Sequence, residues 1–113
     1  MDKFARMALL YDFYGPLLTT KQRDSLDLYY QQDLSLTEIA GEEGISRQAV
    51  HDLLKRTEKI LLEYEEKLGL VDRYLEQHAR LTEMDDLLSQ IPDMNTPVVN
   101  RLRQVIKELL AKE

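Results

Sequence analysis

The chain has 113 residues, 43% hydrophobic and 32% charged, with a formal charge of −6. That balance predicts a folded chain rather than a disordered one. It disfavours a nonspecific nucleic-acid coat, because such affinity comes largely from neutralised phosphates and usually goes with a strongly basic surface.

The first predicted helix runs from Lys3 to Tyr14, with Asp2 as its cap and Phe4, Met7, Ala8, Leu10, Tyr11 and Tyr14 on one apolar face. Gly15-Pro16 ends it. A second helix opens at Thr19, where Gln22 three residues on completes a capping box, and Leu26, Tyr29 and Tyr30 supply its apolar side. Tyr30, beside Gln31 and Gln32, is the tyrosine expected to be exposed; core packing is the expectation for most of the six.

Ser35 and Glu38 form a second capping box, opening a short helix from Leu36 to about Glu42. Gly44 can take the left-handed conformation of a tight turn. Ser46 then caps a long helix with no glycine or proline before Gly69. Val50, Leu53, Leu54, Thr57, Ile60, Leu61 and Tyr64 recur on it at spacings of three and four. Only its first two or three turns are expected to pack on the preceding helices. After Gly69 the pattern resumes from Val71 to Ile91, "PDMNTP" breaks it, and Thr96 with Pro97 opens a last amphipathic helix. The stripes of these two helices must be buried on each other, on the long helix, or on a second copy of the chain. The reading is an all-α protein, with a helix-turn-helix unit over residues 1–68 and a helical extension over 69–113 that serves interaction or dimerisation.

The helix-turn-helix assignment rests on six positions. A small residue is needed where two helices cross closely (Ala40), a residue tolerant of positive φ in the turn (Gly44), and aliphatic residues to lock the pair (Ile39, Ile45, Val50, Leu53). Glu43 departs from the pattern, since the position before the turn glycine is usually apolar. The outward positions of the second helix are Ser46, Arg47, Gln48, His51, Asp52 and Lys55. Arginine can pair with guanine, glutamine with adenine, and Asp52 can accept from cytosine while disfavouring phosphate. Arg56 and Lys59 are placed to reach phosphates. The expected nucleic-acid-binding set is therefore Ser46, Arg47, Gln48, His51, Lys55, Arg56 and Lys59. Glu38, Glu42 and Glu43 on the preceding helix oppose it by repelling flanking phosphates.

Other chemistries find little support. The absence of cysteine excludes disulfides, a thiolate zinc site and a cysteine nucleophile. His51 and His78, the only histidines, lack metal-ligand spacing; the first reads as a surface residue, the second as a packed or interfacial ring. Asp85 and Asp86 are adjacent on a helix, hence about 100° apart, and do not share one site. No phosphate-binding, dinucleotide-binding or nucleophile-elbow motif occurs. No enzyme, metal or cofactor is expected. No apolar run reaches the roughly 18 residues of a membrane span, and "MDKFARMALLYDFYG" is too short and charged for a secretory signal, so a cytoplasmic protein without a membrane partner is expected.

The stretch "LTTKQRDSLDLYYQQDLSLTEIAGEEGISRQAVHDLLKRTEKILLEYEEKL" resembles region 4 of bacterial sigma factors. Through "KQRDSLDLYY", "SLTEIA", "SRQAV" and "KRTEKILLEYEEKLGL" the chain more closely resembles the YlxM family of small bacterial proteins, over nearly its whole length. The resemblance implies an all-helical protein of Gram-positive-type bacteria tied to the signal recognition particle pathway through Ffh, the particle's GTPase. Two readings stay open. One is a module of that particle which contacts Ffh or the particle's RNA, with long helical stripes as docking surface. The other is a sequence-specific regulator of double-stranded DNA reading through Arg47, Gln48, His51 and Lys55. The second needs a homodimer, because one short recognition helix gives little specificity.

Overall fold

The computed structural model describes residues 1–92 and 96–112. Among these residues it contains six α-helices and no strand: α1 (Lys3–Tyr14), α2 (Thr20–Leu26), α3 (Leu36–Glu43), α4 (Arg47–Leu68), α5 (Leu70–Ser89) and α6 (Pro97–Ala111). None of the helices is long and apolar enough to cross a membrane among the described residues. Two compact units divide the chain, Met1–Val71 and Asp72 onward. Asp93, Met94 and Asn95, within the expected break, lie outside the described residues.

The caps form as the sequence predicts. Asp2 accepts from the Ala5 amide at 2.8 Å. Both capping boxes close reciprocally, Thr19 with Gln22 and Ser35 with Glu38. Hydrogen bonds from Ser35, its backbone amide first, hold the Glu38 carboxyl below its ordinary value. Ser46 and Thr96 cap α4 and α6 through the Ala49 and Val99 amides. Gly44 and Gly69 both adopt left-handed φ, 69° and 63°. A Cβ on Gly44 would meet nothing within 4 Å, so the cost of Gly44→Ala lies in the backbone alone. It should lower stability by about 1–2 kcal/mol, read as a reduced urea midpoint at unchanged slope.

The first unit is built around α4. Leu10 and Tyr14 of α1, Leu26 at the end of α2, Ile39 of α3, and Val50, Thr57 and Leu61 of α4 are all fully buried. Thr57 tolerates this because its hydroxyl donates to the Leu53 carbonyl at 2.8 Å. One expectation is corrected here: α4 is packed well beyond its first three turns. α1 packs on α4, and Tyr14 stacks on Tyr64 with ring centroids 5.8 Å apart.

Tyr30 is also corrected. It is buried, not exposed. α2 ends in a wide π turn over Asp27–Gln31, closed by the Gln32 amide on the Asp27 carbonyl at 3.0 Å. Tyr30 lies four residues after the fully buried Leu26, hence on the same face, and the polar neighbours Gln31 and Gln32 do not draw it out. There its hydroxyl donates to Glu58 at 2.7 Å and its ring packs on Phe4 and Tyr29 at 4.8 and 4.9 Å. Burial, then the bond to Glu58, pushes the phenol well above its ordinary 10.0. The unfolded phenol ionises near pH 10 while the folded one keeps its proton. The Tyr30 contribution is therefore complete below pH 10 and is lost as pH rises beyond it. Stability of Tyr30→Phe should fall less than that of the wild type across this window, as measured by urea unfolding from pH 9 to 11.

Two charged residues escape the sequence reading altogether. Glu58 and Glu65 are buried on α4. Glu65 accepts from the Tyr14 hydroxyl at 2.6 Å and from the Val71 amide at 3.0 Å. The Tyr14 oxygen in turn accepts from the Leu70 amide at 3.1 Å. Two of the orphan amides that open α5 are thus satisfied by side chains of α1 and α4.

In the second unit, Ile106 is buried, and Arg103 of α6 lies 3.4 Å from Asp85 of α5. His78 is exposed, with its ring against Tyr74 at 6.0 Å; of the packed or interfacial ring that the sequence suggests, the packed form is not found within this chain.

Candidate nucleic-acid interface

α3 and α4 form the helix-turn-helix pair. The amides of Gly44 and Ile45 both close on the Ala40 carbonyl, at 3.0 and 3.2 Å, and the left-handed glycine turns the chain from one helix into the next. Ile39 and Val50 are fully buried and Leu53 nearly so, so the inner face of α4 is held by apolar contacts. Ala40 and Glu43 are half-buried beside the turn.

With its inner face fixed, the rest of α4 is committed to solvent. Arg47, Gln48, Asp52, Lys55, Arg56 and Lys59 are exposed and His51 is half-buried. A 3.6-residue repeat sets Gln48, Asp52, Lys55 and Lys59 on successive turns down the middle of that face, with Arg47 and His51 on one flank and Arg56 on the other. Ser46 is exposed at the tip, but its hydroxyl is engaged as the cap. Among the described residues no ion pair involves Arg47, Arg56 or Lys59, whereas Lys55 lies 3.8 Å from Glu58.

Asp52 dominates the polar pattern. It accepts from the Gln48 amide at 2.9 Å, and His51 Nδ1 approaches the same oxygen at 3.3 Å. The bond with His51, then that with Gln48, holds the Asp52 carboxyl below its ordinary value, so it stays ionised at neutral pH. Two of the expected base-reading side chains, Gln48 and His51, are thus tied to one acid, while Arg47 is not. Spacing alone exposes this pattern, since 48 and 52 are four apart. The acidic side of the motif lies close by, with Asp24, Asp27, Glu42 and Glu43 lining one shallow depression.

Removing the charge should be visible directly. Asp52→Asn is expected to raise affinity for duplex DNA or structured RNA about threefold to tenfold at low salt, with the gain shrinking as salt screens it. Fluorescence anisotropy across a salt series measures it.

Glu58 and Glu65 carried a faint sequence signal. They sit seven apart on the buried stripe of α4, and two tyrosines on core faces, Tyr14 and Tyr30, needed acceptors for their hydroxyls.

Comparison with known proteins gives a consistent result. The UPF0122 family model, described as "Putative helix-turn-helix protein, YlxM / p13 like", matches residues 1–109. A UPF0122 protein of Desulforamulus reducens is 42% identical over 113 residues, covering 99% of this chain and 97% of the relative. UPF0122 proteins of Bacillus cereus strain AH187 and Bacillus anthracis strain A0248 are each 44% identical over 109 residues, covering 96% of both chains.

Proposed function

This chain belongs to the UPF0122 family of YlxM/p13-like helix-turn-helix proteins, and from that premise we propose that it is a cytoplasmic, non-enzymatic regulatory protein that contacts nucleic acid through the outward face of α4. The observation that carries the reading is the state of that face. Its backbone is locked by Ile39, Val50 and Leu53 beneath, and it offers Arg47, Arg56 and Lys59 with no ion-pair partner among the described residues. A rigid helix with exposed cations can place both phosphate and base contacts at fixed spacing.

The setting proposed is the signal recognition particle pathway, on the strength of the family resemblance, with the particle's RNA as the nucleic acid. The acidic carboxylates around the motif support selective rather than general binding, since they penalise any duplex that does not align its phosphates with the three exposed cations. The alternative is a sequence-specific regulator of duplex DNA. A third partner, Ffh itself, would dock on an apolar stripe and not on this face.

Titration of the full chain with the particle's RNA, with duplex DNA and with Ffh, each across a salt series, separates the three. Binding through α4 should weaken steeply with salt and with Arg47→Ala. Docking on Ffh should be nearly indifferent to both. Absence of binding to either nucleic acid at micromolar concentration ends the proposal.

A further inference from the structure

Several large apolar side chains of the second unit are exposed. Met84, Leu87, Ile91, Leu102 and Leu109 line one continuous groove between α5 and α6 and are each 45–55% exposed. Ile106 at its floor is buried. A unit of about 40 residues with so small an interior does not normally stand by itself, and exposed apolar patches of this kind mark an interface.

The charges around the groove say which occupant fits. From Leu81 to Ile91, α5 carries Glu83, Asp85 and Asp86 and no cation; α6 carries Arg101, Arg103 and Lys107 against the single acid Glu108. Each copy therefore presents an acidic helix and a basic helix on either side of one apolar groove. The Arg103–Asp85 pair at 3.4 Å occupies the inner seam. By helical phase, Glu83 falls on the outer flank of α5 and Arg101 on the outer flank of α6. Arg101 has no ion-pair partner among the described residues, and Glu83 meets only Arg80 at 3.7 Å.

We infer that the groove is occupied by the same groove of a second copy. The two α5–α6 pairs make a four-helix bundle in which α5 of each chain packs on α6 of the other. The arrangement is self-complementary, as two-fold pairing requires. It buries like with like in the middle and sets Glu83 of one chain beside Arg101 of the second. The inference stands independently of what α4 binds.

The test is the mass of the full chain by sedimentation equilibrium and by light scattering between 1 and ~100 μM, the range in which weak dimers separate from stable ones. Twice the chain mass is expected. Leu102→Glu places a charge inside the bundle and should weaken association roughly 100-fold or more. Arg101→Glu should weaken it about tenfold, and adding Glu83→Arg in the same chain should restore it. Should Leu102→Glu lose its helical circular dichroism, the exposed charge-reversal pair decides the matter alone. A wild type that stays monomeric overturns the proposal and leaves the groove to a different macromolecule. A Leu102→Glu chain that stays folded and dimeric overturns it too, as does a double charge reversal that fails to recover.

Discussion

Glu65→Ala should lower the unfolding free energy by about 3–5 kcal/mol, the largest loss expected from any single substitution of a charged residue here. The change leaves two buried donors, the Tyr14 hydroxyl and the Val71 amide, without the Glu65 acceptor, and it leaves a cavity where a methylene and a carboxylate were packed. Tyr14→Phe removes the donor to Glu65 and the acceptor of the Leu70 amide but keeps the ring stacked on Tyr64, so about 1–3 kcal/mol is expected. Glu65→Gln keeps an acceptor in place and should fall between wild type and alanine. The Glu65→Ala, Tyr14→Phe double variant should be less damaging than the sum of the two, because the second change removes a donor already stranded by the first. Urea unfolding of the four proteins measures this. An alanine variant within 1 kcal/mol of wild type would show that the junction of α1, α4 and α5 does not depend on the carboxylate.

Combined replacement of Arg47, Arg56 and Lys59 by alanine should reduce nucleic-acid affinity by roughly a hundredfold or more near 0.1 M salt. Each removed phosphate contact should flatten the dependence of log affinity on log salt by about 0.7–0.9, so the three together flatten it by roughly 2–3. These cations lie on the exposed side of α4, and their loss should leave the unfolding midpoint within the narrow range of surface substitutions. A variant that binds as tightly as wild type, at equal stability, would move the interface away from α4.

Much of this architecture is legible in the sequence because it is written in local rules. Asp2, Thr19, Ser35, Ser46 and Thr96 announce their helices through side-chain oxygens that have one use at those positions. Gly44 and Gly69 mark left-handed turns in the same way. The outward face of α4 follows by subtraction once Val50, Leu53 and Leu54 are assigned inward. The misses have another origin. The spacing from Leu26 already places Tyr30 on the apolar side, and the expectation of exposure came from its neighbours Gln31 and Gln32, which say nothing of the acceptor that Glu58 supplies inside. Burial of Glu58 and Glu65 depends on partners 28 and 51 residues away. The packing of α1 along the length of α4 is likewise a tertiary fact. A residue scale that assigns every glutamate to solvent cannot find either acid.

The position of Glu58 has a rotational consequence. One of its oxygens holds Tyr30 in the interior, while the other lies 4.0 Å from Lys3 and 3.8 Å from Lys55 at the surface. Apolar side chains alone allow a helix to roll or slide against its neighbours at modest cost, because one aliphatic contact replaces another. A carboxylate fixed at both ends does not permit that. It acts as a pin through the wall of the molecule, fixing the azimuth of α4, and with it the compass bearing at which Arg47 and Gln48 meet whatever approaches.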